Sequence, residues 1–287
     1  MSWAVSTMEW SPPENAPLSI RHALAGFQTA LDEDERVLAA FIGGSFADGT
    51  WDEHSDLDLY LVVEDADYDE VFAERRSLIE TMGEVVLAED FDGFGFDMVI
   101  FMLVSGVEGE LGFGRSSNFS QLHGGPFAAL VDREGLLEGK TFDYDRPNKE
   151  QRRRSIARTI AWFWRYLSLF ATAAQRGRAW TAYGYLEQAR HEALDLVWWI
   201  EAPDSWPGGF EKLEANVDSG LVDPIRATLV GLGLDEQRTA SSALAEFVAT
   251  QGRAACLSEE IDYPDRLEDT VRSALSLGVG RPSGGRP

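Results

Sequence analysis

The stretch from Gly43 to Val63, GGSFADGTWDEHSDLDLYLVV, decides how the first half of the chain folds. It follows an unbroken apolar run, Val37–Ile42, which reads as a buried strand. Two glycines and a serine end that run, and Asp56 and Asp58 open the next one, which continues to Val63. Alternate residues of a strand point to the same face. Asp56, Asp58 and Tyr60 therefore share one face, and Leu57, Leu59, Leu61 and Val63 line the other. Two carboxylates side by side where a buried strand begins repel each other, and burial sharpens the repulsion. The pattern calls for something cationic to compensate them.

Outward from this stretch the pattern is mixed α/β. Ile20, Ala23, Leu24, Phe27, Ala30 and Leu31 recur at helical spacing ahead of the first strand. GGSFADG reads as a turn, a charged helix is expected over about Tyr68–Met82, and EVVLAED (84–90) as a short strand. FDMVIFMLVSGVEGELGFG (96–114) reads as two strands around a turn at Ser105–Gly106, and PFAALVDREGLL (126–137) adds a last strand with DREG as its turn. From Pro147 onward no strong strand pattern remains. Ile156, Ile160, Phe163, Leu167, Phe170 and Ala174 step by four and three along one helical stripe, with Pro147 suited to a start and Gly177 to a stop. Further helices are expected over about 178–201, 209–217, 224–232, 235–257 and 266–275. The expected organisation is an α/β domain over 1–146 with a mixed sheet and flanking helices, an all-helical bundle over 147–280, and a disordered tail over 281–287.

Composition narrows the function. The 287 residues carry 49 acidic and 25 basic side chains, a net charge of −24. Nucleic acid is a poor partner for such a surface, because phosphate contacts need basic groups. Metal ions or a small polycation suit it. No apolar run is long enough to span a bilayer, and the opening MSWAVSTMEWSPPENAP lacks a basic segment followed by an apolar one. Cys256 is the only cysteine, so intrachain disulfides and cysteine zinc sites are excluded. A cytoplasmic protein without membrane attachment is expected.

Gly-Ser at the end of one strand and Asp-x-Asp on the next, as in Gly44-Ser45 and Asp56-Leu57-Asp58, resemble the signature of the nucleotidyltransferase fold shared with DNA polymerase beta. The order of elements resembles the antibiotic nucleotidyltransferases that modify streptomycin, kanamycin or lincosamides. Those proteins also pair an α/β domain with a helical bundle and place a further carboxylate on a later strand, where Glu110 stands here. The resemblance implies an adenylyltransferase using ATP and two Mg²⁺ ions. Asp56, Asp58 and Glu110 would be its catalytic and metal-binding residues, and Gly43, Gly44, Ser45 and Arg115 would meet the nucleotide. Elementary chemistry agrees. Two hard cations about 3.5–4 Å apart neutralise a triphosphate and align attacking and leaving oxygens, and such ions take carboxylate oxygens. They would also compensate the Asp56–Asp58 pair. Glycines let backbone approach phosphate, to which a serine hydroxyl donates.

Glu110 has two readings, third metal ligand or general base for the acceptor hydroxyl; Asp97 and Glu108 compete with it. The helical domain is expected to form the other wall of a cleft. There Tyr183, Glu187, His191 and Asp195 share one helical face and would bind an amine-rich acceptor such as an aminoglycoside, which would make antibiotic resistance the biological role. Arg154, Arg158 and Arg165 form a row that suits either phosphate or solvent. Trp162, Trp164, Trp180, Trp198 and Trp199 are expected mostly in the core. His123 lacks partners at ligand spacing for a zinc site. Two other functions fit the same residues: transfer of AMP to a protein side chain, and a non-catalytic, antitoxin-like binding protein.

Overall fold

The computed structural model describes residues 10–143, 146–204, 208–210 and 212–276, with the side chain of Ser219 left out. The expected tail over 281–287 lies outside the described residues. The chain divides into two compact units, Met1–Asp145 and Arg146–Pro287.

The first unit is a mixed α/β domain. Its helices are α1 (Leu18–Glu33), α2 (Gly44–Asp48), α3 (Tyr68–Ala73) and α4 (Arg75–Glu80). Its strands are β1 (Val37–Ile42), β2 (Leu57–Val63), β3 (Val85–Phe91), β4 (Asp97–Leu103), β5 (Glu108–Arg115) and β6 (Ala128–Asp132). They form one sheet in the order β3-β4-β5-β2-β1-β6. β2 and β5 run parallel and the other neighbours antiparallel. The turn between β4 and β5 falls at Ser105–Gly106 as expected. Gly106 takes φ +83°, and its N–H donates to the Leu103 carbonyl at 2.9 Å.

The apolar alternation sets the layers. Leu57, Leu59, Leu61 and Val63 of β2 pack with Val99 and Phe101 of β4 and Leu111 and Phe113 of β5. Ile20, Ala23, Leu24, Phe27 and Leu31 of α1 cover them, together with Val71 and Ile79 of α3 and α4. A smaller cluster lies on the other face, where Phe41, Tyr60 and Val62 meet Phe119, Leu122, Leu137 and Phe142 from loops. Helices thus close one face of the sheet. The face that carries Asp56 and Asp58 is covered by loop residues instead.

Two expected elements differ. GGSFADG (43–49), expected as a turn, holds a short helix: α2 spans Gly44–Asp48 and ends on Gly49 at φ +81°. The Ser45 carbonyl there accepts the N–H groups of Gly49, Thr50 and Trp51, each at 3.1 Å. The helix expected over Tyr68–Met82 breaks at Glu74, whose φ −86° and ψ 0° leave helical geometry. The Glu74 carboxylate is drawn to Arg36 at 2.6 Å.

The second unit is all-helical: α5 (Lys149–Gln175), α6 (Ala179–Glu201), α7 (Leu213–Asn216), α8 (Ser219–Arg226), α9 (Leu234–Glu259) and α10 (Asp265–Ser276). Asn148 and Gln151 form a reciprocal capping box at the start of α5, one residue beyond Pro147. Phe163, Trp164, Leu167, Leu186, Leu244 and Val248 are among the residues that build its core. α8 begins earlier than the expected 224–232 helix, because the Asp218 carboxylate caps it at the Gly220 N–H. Pro224 consequently lies inside the helix. Trp164, Trp198 and Trp199 are buried, whereas Trp162 and Trp180 are exposed. No described helix is long and apolar enough to cross a membrane.

Candidate active site

The site is built where β1 ends and β2 and β5 begin. The Gly43 N–H donates to the Asp58 carbonyl at 2.8 Å, which ties the glycine turn to β2. Gly44 follows at φ +54°, a conformation that favours glycine. A Cβ at Gly44 would fall inside the van der Waals radius of Asp58 Oδ2. The Asp58 carboxylate therefore rests directly on the Gly44 backbone. At Gly43 a Cβ would lie 2.5 Å from His123 Cε1. Each glycine of the pair is thus roofed by a different side chain. Ser45 opens α2 beside them, and its Oγ is buried without a hydrogen-bond partner.

The parallel register sets Asp58 opposite Glu110. Neighbouring strands lie about 4.8 Å apart, so the two side chains are adjacent on one face. Asp56 stands one residue before β2 and is exposed. Tyr60 is the next residue on this face. Burial, and then the charges of Asp58, Glu110 and Asp56, push its hydroxyl far above the ordinary tyrosine pKa.

Their chemistry suits a hard divalent cation. The donors are all carboxylate oxygens, one rests on a glycine cradle, and a buried serine hydroxyl beside them has nothing to bond to. Among the described residues, no group of three or more His, Cys, Asp or Glu is placed to hold a metal ion, so the three carboxylates do not form a metal-binding triad here. Asp58 lies in β2 and Asp56 stands immediately before it.

The other candidates lie elsewhere. Arg115 pairs with Val63 at the far end of the β2–β5 ladder. Its guanidinium lies 3.9 Å from the Tyr68 ring centre and 2.9 Å from Asp69. The structure does not bring it to Gly43–Ser45. Asp97 is at that far end as well, opposite Phe113, and accepts the Tyr68 hydroxyl at 2.7 Å. Arg115, Asp97, Phe96, Asn118 and Gln121 line an open cleft of about 430 Å³, which is separate from the carboxylate site. Glu108 is exposed, opposite Met102.

In the second unit, Glu187 is engaged by Arg190, a guanidinium only 1 % exposed that also bonds the Thr228 hydroxyl and carbonyl at 3.1 and 2.8 Å. His191 Nε2 lies 3.8 Å from Asp195 Oδ2, and the His191 ring packs on Gly209 and Phe210. Tyr183 is half-buried. Arg158 and Arg165 are exposed, and Arg154 pairs with Glu150 at 2.9 Å. Two residues add to the picture drawn from sequence. Glu192 has its carboxyl pushed up to about 7 by burial and then by Asp195, with Arg158 opposing. Burial likewise raises Asp195. A carboxylate three residues before Asp195 on α6 was the signal available for Glu192. His123 offered none beyond its place before Gly124-Gly125, because its contact with Gly43 is made only in the fold.

The family model for the nucleotidyltransferase domain matches residues 24–93, which include Gly43–Ser45, Asp56 and Asp58 and stop short of Glu110. The chain carries a nucleotidyltransferase domain. A search of curated proteins finds no match. Among solved structures, an aminoglycoside 6-adenyltransferase from Bacillus subtilis is similar at 14% identity, over 91% of this chain and 97% of that chain, with a TM-score of 0.44. A nucleotidyltransferase-like protein from Exiguobacterium sibiricum 255-15 is similar at 13% identity, over 91% and 88%, with a TM-score of 0.39.

Proposed function

We propose that the protein transfers AMP from ATP to a hydroxyl of a small cationic acceptor and releases pyrophosphate. The observation that carries this reading is the placement of Asp58 opposite Glu110, with Asp56 on the same face and the Gly43–Ser45 turn beneath them.

Asp56 and Asp58 are the residues that would hold Mg²⁺. When bound, the ions supply charge neutralisation of the triphosphate and polarisation of the reacting phosphoryl group. The chain's own residues do the rest. The Ser45 Oγ–H, buried and unpartnered, donates to a phosphate oxygen. The glycine turn lets backbone approach the phosphates where side chains would block them. Glu110 reaches the same spot from the neighbouring strand and accepts the proton of the acceptor hydroxyl at its carboxylate. The acceptor oxygen forms its bond to the α-phosphorus as the bond to the pyrophosphate oxygen breaks, and the proton stays on Glu110.

A cationic acceptor is supported by the net charge of −24. Aminoglycoside-type molecules carry both the amines and the hydroxyls. The deciding experiment incubates the protein with each of the four NTPs and a panel of amine-bearing, neutral and anionic polyhydroxylated acceptors. Pyrophosphate release with gain of one adenylyl group on an amine-bearing acceptor is expected. Turnover confined to neutral or anionic acceptors would overturn the cationic assignment, and no turnover with any NTP would overturn the reaction itself.

A further inference from the structure

His123 stands outside the carboxylate site yet touches the backbone that shapes it. It comes from the loop before β6, and its ring is half-buried. The ring lies 4.9 Å from that of Tyr60, 5.8 Å from Phe41 and 5.7 Å from Phe142, centre to centre. Nε2 sits 2.9 Å from the Pro126 carbonyl, which can only accept, so Nε2 carries the proton. That bond fixes the tautomer and the tilt of the ring. Burial in this aromatic setting holds the imidazole below its ordinary pKa, with the Pro126 bond opposing. The Cε1 edge is then pressed onto Gly43, where no Cβ would fit. Gly43 in turn donates to the Asp58 carbonyl, and the Asp58 carboxylate sits on Gly44.

We propose that His123 is a positioning residue, which packs on Gly43 while Asp58 packs on Gly44 and so holds the Asp58 carboxylate where a divalent cation binds. The line of contact runs Pro126 carbonyl, His123 ring, Gly43, Asp58. It explains why two consecutive glycines are needed, since one must admit the imidazole and the other the carboxylate. This inference rests on the metal-binding reading of Asp56 and Asp58.

The test measures affinity for Mn²⁺ alone, without nucleotide, by water-proton relaxation, alongside the melting temperature of each variant. Groups that orient a metal ligand typically cost 10–100-fold in metal affinity when removed. His123→Ala is expected to weaken Mn²⁺ about tenfold, while His123→Phe, which keeps a roof without the Pro126 bond, falls between it and wild type. Gly43→Ala drives a methyl into the imidazole and should weaken Mn²⁺ as well. Combining it with His123→Ala should then restore part of the loss, because the methyl occupies the space the ring has left. A merely structural role would lower melting temperatures without this ordering and without the recovery in the double variant. Unchanged Mn²⁺ affinity in His123→Ala, with binding lost in Asp58→Asn, overturns the role of His123 alone. Absence of Mn²⁺ binding in the wild type, or its survival in Asp58→Asn, overturns the metal reading and this proposal with it.

Discussion

Gly44→Ala is expected to damage the protein in two ways. An alanine at φ +54° is strained by roughly 1–3 kcal/mol, and its methyl would displace the Asp58 carboxylate. Urea denaturation should register the strain, and turnover should be lost even where the variant is fully folded. Asp58→Asn separates the two effects, since it keeps the shape and removes the charge. Turnover at background level with an unchanged circular dichroism spectrum is expected, and full activity would remove Asp58 from the machinery. Glu110→Gln distinguishes base from ligand. A base loses kcat while Mn²⁺ affinity holds, whereas a ligand loses both. Asp56, Asp58, Gly44 and Ser45 were legible because their signal is local, a period-two strand beside a glycine turn. The opposition of Asp58 and Glu110 was expected only from the family resemblance, because the local pattern does not set the register of two strands distant in sequence.

At the scale of elements, α6 carries both a structural and a titrating cluster. Arg190 is buried, and Glu187 neutralises it while Thr228 ties it to the end of α8. Removing one partner of a buried ion pair costs about 3–5 kcal/mol, so Glu187→Gln should shift the urea midpoint strongly. Glu187 thus serves packing, and Glu192 is the group on α6 whose titration can be read. Its pH dependence has a definite sign. The folded pKa of Glu192, about 7, lies above its unfolded value near 4.5. Between these values the folded state binds more protons than the unfolded state, so stability falls as pH rises through this window. Glu192→Gln should therefore raise the melting temperature at pH 8 and leave it nearly unchanged at pH 4. A rise of equal size at both would deny the titration. Sequence periodicity found β1, β2, β5 and the long helices to within a few residues. It missed the break at Glu74 and the early start of α8, where a side chain pairing with Arg36 and an aspartate cap override the apolar pattern.

For the whole molecule, each of the two compact units has its own hydrophobic core, and the change from period two to period three and a half near Pro147 made the change from α/β to all-α readable. The identity of the acceptor was not readable, since that depends on which acidic side chains keep a free oxygen after folding. A ligand that binds only the folded state stabilises it by about 2.7 kcal/mol at a hundred times its dissociation constant. For a unit of this size each kcal/mol moves the melting temperature by roughly 2–4 °C. ATP with Mg²⁺ at that excess should therefore raise the transition of the catalytic unit by about 5–11 °C. ATP alone should do much less, because Asp56, Asp58 and Glu110 repel an uncompensated triphosphate. Mg²⁺ alone should give an intermediate rise, by relieving the repulsion between the carboxylates. In Asp58→Asn the response to ATP with Mg²⁺ should shrink towards that of ATP alone. If ATP stabilised the wild type equally with and without Mg²⁺, the nucleotide would be binding away from the carboxylates, and the coupling of donor and metal at this site would be wrong.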